Sequence, residues 1–229
     1  MRRILAWGVH LFTACGAVVG AGALVAIANG AWTPALLLML AGLFIDAVDG
    51  MLARSADVDR QAPRIDGRRL DDIVDYVNYV IVPVVFMVAT GLLPHWAWAA
   101  APVLASAYGF SQVAAKTDDD FFLGFPSYWN VLAIYLFLLQ ASPSTSALLV
   151  AVLSVGVFVP WKYIYPSKLR SHRAFTFTLA IFCFAAVSWS VLDPQRSRSL
   201  HLVELSLVFP AWYLWLSWHL GGLMRTTAK

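Results

Sequence analysis

Four aspartates at helical spacing are the residues of this 229-residue chain whose types and positions could do chemistry. Asp46 and Asp49 are three residues apart, and Asp71 and Asp75 are four apart. Residues at these spacings share one face of a helix. Two neighbouring antiparallel helices could therefore point four carboxylates at one place. Oxygen donors without His or Cys suit hard cations such as Mg²⁺ or Mn²⁺, and four acidic groups suffice for a pair of them.

The segment that contains these aspartates is far more polar than the rest of the chain. Residues 46–75 hold eight carboxylates and five arginines, whereas the whole chain is 60% hydrophobic and 13% charged. Acidic residues near helix ends often form only a solvated face or interact with the helix dipole. We prefer that interpretation for Asp57, Asp59 and Asp72. It suits Asp46 and Asp49 less well, because they lie toward a helix C-terminus, where the dipole disfavours negative charge.

The elements that position these residues are predicted to be transmembrane helices. Mean hydropathy is +0.71, and apolar runs long enough to cross roughly 30 Å of hydrocarbon recur along the chain. We therefore expect an all-α integral membrane protein that forms a single polytopic domain over residues 1–229. Gly16 and Gly20 predict a small-residue helix contact, within the chain or between two copies. About eight transmembrane helices are expected, near residues 9–28, 31–53, 69–92, 95–115, 126–141, 144–163, 173–192 and 201–223.

The distribution of basic residues predicts the orientation of the chain. Lys and Arg accumulate in short cytoplasmic loops. Of the 16 basic residues, only Arg196 and Arg198 fall on the opposite side of the expected spans. Both termini and the charged segment are therefore predicted to be cytoplasmic, in the inner membrane of the cell. The net charge of +3 follows from this orientation, and no nucleic-acid-binding motif is present.

The charged segment also matches a known sequence signature. The signature reads D-x-x-D-G-x-x-A-R, then a spacer, then G-x-x-x-D-x-x-x-D. On these residues the chain resembles the CDP-alcohol phosphotransferases. A spacer of twelve residues, and the later stretch TDDDFFLGFPSYWN at 117–130, resemble the bacterial branch of that family that makes phosphatidylcholine. The fixed residues of the signature here are Asp46, Asp49, Gly50, Ala53, Arg54, Gly67, Asp71 and Asp75.

This resemblance implies a reaction and a set of roles. The reaction would transfer a phosphatidyl group from CDP-diacylglycerol to choline and release CMP, with two divalent ions, Mn²⁺ or Mg²⁺, as cofactors. Asp75 would be the general base. Arg54 could either bind ligand or pair with a carboxylate. A homodimer is also implied. The metal ligands would be Asp46, Asp49, Asp71 and Asp75, and the CDP-binding residues Asp49, Gly50, Ala53, Arg54, Gly67 and Asp71.

Choline would need a site of a different kind. Its quaternary ammonium donates no hydrogen bond and is typically held over aromatic faces, sometimes beside a carboxylate. We select Asp119, Tyr128 and Trp129 as candidate contacts. Tyr and Trp residues also form belts at the membrane interfaces of any membrane protein, so a belt or ordinary packing is the default interpretation of each aromatic residue here. The other aromatic residues near the expected cytoplasmic side are Tyr76, Tyr79, Trp161, Tyr163 and Tyr165.

Several alternatives remain open from the sequence. Four basic residues near the aspartates could hold phosphates: Arg64, Arg68, Arg69 and Lys116. The preferred interpretation is that they anchor the chain to lipid headgroups, which are partners of any membrane protein. Serine could replace choline as acceptor. From a different class, a cation transporter would also place carboxylates in a membrane. An ion pathway would require acidic groups on both faces of the membrane, however. All acidic residues except Asp193 and Glu204 cluster on the expected cytoplasmic side.

Overall fold

A computed structural model describes residues 2–113, 115–117, 119–169 and 171–223. Three of the basic residues used above for orientation, Arg170, Arg225 and Lys229, lie outside these residues, as does Asp118. Within the described residues, four helices are long and apolar enough to cross a membrane. The prediction of a helical, multi-pass membrane protein is therefore confirmed.

Three long helices build the N-terminal part of the fold. α1 (Arg2–Ala28) and α2 (Trp32–Ser55) form a hairpin, and the short α3 (Val58–Gln61) follows. The next helix is continuous from Gly67 to Ala89. It consists of α4 (Gly67–Asp75), a π-helical stretch (Tyr76–Ile81) and α5 (Val82–Ala89). α1 packs along α2 and also contacts α4 and α5.

Shorter elements make up the remainder. Among these elements, only the helix Arg173–Leu192 meets the length and hydropathy expected of a full span in the described residues. The elements are a 3₁₀ turn (Trp96–Ala99), α6 (Ala100–Ser111), β1 (Phe121–Leu123), α7 (Trp129–Leu138), α8 (Pro143–Gly156), β2 (Lys162–Ile164), a 3₁₀ turn (Pro166–Lys168), α9 (Arg173–Leu192), α10 (Pro194–Ser199), α11 (Leu202–Ser206) and α12 (Val208–Leu220).

The predicted helix bounds differ from the structure in this second part. The span expected at 144–163 ends early, because α8 stops at Gly156 and residues 162–164 pair with β1 as an antiparallel ribbon. The span expected at 201–223 is divided into α11 and α12 at Leu207. Apolar composition alone does not separate a buried strand from a helix, so the small sheet was missed. Eight spans and cytoplasmic termini stay predictions.

Asn78 ties the π-helical stretch to the first two helices. Its Nδ2 donates hydrogen bonds to the carbonyl oxygens of Gly16 and Val74, each at 3.0 Å. A Cβ atom at Gly20 or at Gly42 would lie only 2.9 Å from the Asn78 Oδ1. The small-residue contact predicted for α1 is therefore made within the chain, where it leaves room for a buried polar side chain. π-Helical turns of this kind occur frequently at functional sites.

Candidate active site

α2 and α4 bring three carboxylates together. Asp46 and Asp49 lie near the C-terminal end of α2, and Asp71 lies on α4. One carboxylate oxygen from each residue lies within 4.8 Å of the other two. Asp49 is only 6% exposed, and the other two are half-buried. At an effective dielectric constant of 20, each ionised pair at this distance would repel by at least about 3 kcal/mol. The arrangement therefore favours a bound cation.

Local sequence explains how α4 presents its aspartates. Asp66 caps the helix, because its Oδ1 accepts a hydrogen bond from the backbone N–H of Arg69 at 3.1 Å. Asp71 and Asp75 then follow on one face, one turn apart. Asp75 does not belong to the group of three oxygens, but it lies within electrostatic range of all three carboxyl groups. It is half-buried at the junction with the π-helical stretch.

A tyrosine links the π-helical stretch to the carboxylates. The Tyr79 hydroxyl donates a hydrogen bond to Oδ2 of Asp46 at 2.5 Å, and Tyr79 is itself only 4% exposed. A hydrogen bond of this kind fixes the orientation of the carboxylate, as the outer partners of metal ligands commonly do. Sequence reasoning considered Tyr79 only as one of several aromatic residues near the surface, and its position four residues after Asp75 was the available signal.

Small residues border the carboxylates on α2 and α4. A Cβ atom at Gly50 would lie 3.4 Å from Nη1 of Arg54, whose side chain is exposed. Ala53 packs beside a small apolar cluster that includes α3. A Cβ atom at Gly67 would lie 3.2 Å from Cε1 of His10, a buried residue of α1 that sequence reasoning did not connect with the site. Gly50 and Ala53 thus follow Asp49 by one and four residues on α2, and Gly67 precedes Asp71 by four residues on α4.

The three candidate choline contacts lie in different surroundings. The Lys162 ammonium forms an ion pair with Asp119 at 2.6 Å, and this hydrogen bond holds the pKa of the Asp119 carboxyl below its usual range. Trp129 is fully buried, and its indole N–H donates to the Ser106 hydroxyl at 2.7 Å. Only Tyr128 is near the carboxylates, with its ring centroid 5.8 Å from that of Tyr79. The structure therefore gives the adjacent residues Tyr128 and Trp129 different surroundings.

The β1–β2 ribbon places a second aromatic pair and a lysine at this end of the molecule. The ring centroids of Phe122 and Tyr165 are 4.6 Å apart. The Lys116 Nζ lies 5.9 Å from the Phe122 centroid and 5.6 Å from the Tyr165 centroid. Lys116 is also within electrostatic range of Asp46 and Asp75. Sequence reasoning did not select Phe122, because the ribbon that presents it was not predicted.

Two clefts lie among the described residues. One, of about 440 Å³, is lined by Thr90 and Arg198, at the opposite end of the Gly67–Ala89 helix from Asp71. Another, of about 680 Å³, lies between Met51 and the start of α9. Neither is lined by an aspartate, so the carboxylate group and not a large cavity marks the candidate site.

Comparison with known proteins points to the same segment of the chain. The sequence model of the CDP-alcohol phosphatidyltransferase family matches residues 9–161, which include both aspartate pairs. A phosphatidylcholine synthase of Legionella pneumophila is 40% identical over 93% of this chain and 88% of its own length. One from Borreliella burgdorferi is 36% identical over 95% of this chain and 94% of its own. One from Legionella bozemanae is 40% identical over 89% of this chain and 98% of its own.

Proposed function

The chain belongs to the CDP-alcohol phosphatidyltransferase family, and we propose that it is a phosphatidylcholine synthase. It would transfer the phosphatidyl group of CDP-diacylglycerol to choline and release CMP. The observation that carries this proposal is the meeting of three carboxylates from two helices within 4.8 Å. The relatives described above support choline as the acceptor, because they match nearly the whole chain.

Asp75 is proposed as the general base. The choline oxygen forms a bond to the phosphorus of the phosphatidyl group, and the bond from that phosphorus to the oxygen bridging it to CMP breaks. The electron pair of this bond leaves with CMP, and the hydroxyl proton passes to the Asp75 carboxylate. The position of Asp75 supports this role, because it lies on the same face of α4 as Asp71, one turn further along the helix.

Asp46, Asp49, Asp71 and Asp75 would hold divalent cations, Mn²⁺ or Mg²⁺, as a pair. A donor set made only of carboxylate oxygens fits such hard ions. When bound, they would neutralise the diphosphate and the charge that develops on the leaving CMP. In their absence the carboxylates would repel the diphosphate, so substrate binding should require metal.

The nucleotide would lie along the small residues of α2 and the start of α4. Gly50, Ala53 and Gly67 leave the backbone accessible to a ligand, and Arg54 can pair with phosphate. Asp49 and Asp71 complete the proposed CDP-binding set. At Gly67 the packing of α4 against α1 also requires a small residue, since a Cβ atom there would lie 3.2 Å from Cε1 of His10.

The proposed setting is the cytoplasmic side of the inner membrane of the cell. A site at this interface would keep the acyl chains of CDP-diacylglycerol in the bilayer, while choline arrives from water. The positive-inside distribution of Lys and Arg supports this orientation. One polytopic domain over residues 1–229, assembled as a homodimer, is part of the same proposal.

The test is an acceptor assay with purified protein in detergent. CDP-diacylglycerol and Mn²⁺ are supplied with choline or with serine, and CMP and the lipid product are measured. We expect CMP and phosphatidylcholine with choline, and neither after chelation of the metal. CMP release with serine alone would overturn the acceptor assignment. Metal flux into liposomes without any CMP release would instead favour a cation transporter.

A matched pair of variants tests the general base. Asp75→Asn should abolish turnover while CDP-diacylglycerol still binds, because an amide cannot accept the hydroxyl proton. Asp57→Asn is the control: Asp57 is exposed, lies outside the carboxylate group, and has a φ of 49°, a conformation that asparagine tolerates. Equal turnover of the two variants would remove Asp75 from the mechanism.

A further inference from the structure

We propose that the quaternary ammonium of the acceptor binds over the rings of Phe122 and Tyr165, in the place that the Lys116 ammonium takes in this structure. The proposal deepens the proposed function and depends on it for the identity of the acceptor. It assigns a cation site to residues outside the aspartate signature. The lysine would then act as an internal competitor that vacates the site when the acceptor binds.

The geometry of the ring pair suits a cation. The Lys116 Nζ is within 6 Å of both ring centroids, the range in which an aromatic face attracts a positive charge. The two rings are inclined by 35°. Phe122 lies in β1 and pairs with Lys116 through its backbone, and Tyr165 directly follows β2. Two rings from different segments of chain therefore face one ammonium group.

The position of the pair relative to the carboxylates suits an alcohol with an ammonium head. Lys116 lies within electrostatic range of Asp46 and Asp75. The Tyr128 ring lies 5.8 Å from that of Tyr79, which donates to Asp46, and 5.8 Å from that of Tyr213. The Tyr213 hydroxyl in turn donates to the carbonyl oxygen of Ile164, the neighbour of Tyr165 in the chain. Choline carries its hydroxyl two carbons from its nitrogen, so a head group over Phe122 and Tyr165 would direct the hydroxyl toward the carboxylates. The negative potential there attracts the same head group.

A quaternary ammonium should displace the lysine because the two cations bind differently. A lysine ammonium is compact, strongly hydrated and able to donate three hydrogen bonds, which the ring faces do not satisfy. A trimethylammonium group has no donors to satisfy and presents methyl groups to the rings. Lys116 is exposed, so its flexible side chain can swing from the rings into water.

Two variants of Tyr165 test the ring face. Tyr165→Leu should raise the KM for choline by about tenfold while the KM for CDP-diacylglycerol stays unchanged. Tyr165→Phe keeps the face and should retain the KM of the wild type. Tyr108→Leu is the matched control, because Tyr108 on α6 and Phe158, two exposed residues, form a ring pair of nearly the same geometry, at 4.8 Å and 32°. An unchanged choline KM in Tyr165→Leu overturns the proposal.

The variant Lys116→Met distinguishes two roles of this lysine, competition with choline for the ring pair and binding of phosphate. Removing an internal competitor should lower the KM for choline, since methionine keeps the length of the side chain without its charge. A raised KM for CDP-diacylglycerol with an unchanged KM for choline would show that the lysine binds phosphate, and would overturn the competitor role. Circular dichroism of each variant checks that the protein is folded.

A direct binding measurement keeps the test independent of turnover. Tetramethylammonium binding is measured by calorimetry on the wild type and on Tyr165→Leu, with 3,3-dimethyl-1-butanol as the neutral isostere of choline. We expect tetramethylammonium to bind the wild type and to bind Tyr165→Leu about tenfold more weakly, and the isostere to bind neither tightly. If the wild type makes no phosphatidylcholine but binds tetramethylammonium, only the proposed function fails. If tetramethylammonium does not bind, the site proposed here fails.

Discussion

Replacing Gly42 by alanine tests how Asn78 holds the π-helical stretch that follows Asp75. The new Cβ atom would lie 2.9 Å from the Asn78 Oδ1 and 3.2 Å from its Cγ. The side chain cannot turn away without losing its two hydrogen bonds to the carbonyls of Gly16 and Val74. The collision must therefore be absorbed by the packing of α2 against the π-helical stretch.

The expected magnitude follows from two opposing effects. Alanine in place of glycine stabilises a helix interior by about 1 kcal/mol, whereas overpacking a buried site costs about 1 to 3 kcal/mol. Gly22→Ala is the matched control: its Cβ atom would lie 3.5 Å from Leu38 Cδ1, an ordinary contact. The control keeps the favourable effect alone. The two variants should therefore differ in free energy of unfolding by about 1 to 3 kcal/mol.

Thermal unfolding in detergent measures this difference. For a protein of this size, each kcal/mol corresponds to about 2 to 4 °C in the unfolding midpoint. Gly42→Ala should thus unfold several degrees below Gly22→Ala and should also have a lower kcat, because Asp75 and Tyr79 flank Asn78. In an Asn78→Ala background the overpacking should disappear, so Gly42→Ala should shift the midpoint as Gly22→Ala does, as expected for directly contacting residues. A Gly42→Ala midpoint equal to or above that of Gly22→Ala would refute the reasoning.

Three further substitutions give distinct outcomes. Tyr79→Phe removes the hydrogen bond to Asp46 and should weaken activation by Mn²⁺ by about 10- to 100-fold, measured as the metal concentration giving half-maximal rate. Trp129→Phe removes a buried hydrogen bond and should cost about 1 to 3 kcal/mol of unfolding free energy; a raised choline KM at unchanged stability would contradict its packing role. Asp119→Asn removes the ion pair with Lys162, which is worth up to about 1 kcal/mol at a surface. Folding lowers the pKa of Asp119. The stabilisation by the ion pair is therefore full above the usual pKa of about 3.9 and is lost as pH falls through the lowered value. The unfolding midpoints of wild type and variant should converge in acid, and a difference that stays constant with pH would contradict the ion pair.

The candidate site was partly predictable because its spacing is local. Asp46 with Asp49, and Asp71 with Asp75, had to share helix faces once hydropathy indicated helices. The structure brings the first pair and Asp71 within 4.8 Å, while the roles of these residues stay a proposal. Helix type and membrane location were likewise readable from composition, although the bounds of α8 and the break between α11 and α12 were not.

The aromatic candidates show the limit of this reasoning. Tyr128 and Trp129 are adjacent in sequence, yet one ring lies near Tyr79 and the other is fully buried and bonded to Ser106. The position of Phe122 depends on the pairing of β1 with β2, which lies about forty residues further along the chain. No local pattern distinguishes an aromatic residue in a belt from one in the core or beside a carboxylate.

The sequence by itself determined that the chain is a helical membrane protein whose aspartates share helix faces, because hydropathy and helical periodicity act over a few neighbouring residues. The tertiary structure decided that Asn78 occupies a notch between glycines of α1 and α2, and that Lys116 lies over the rings of Phe122 and Tyr165. These contacts join residues that are distant along the chain. Close packing of the whole fold determines which of them form, and no single segment carries that information.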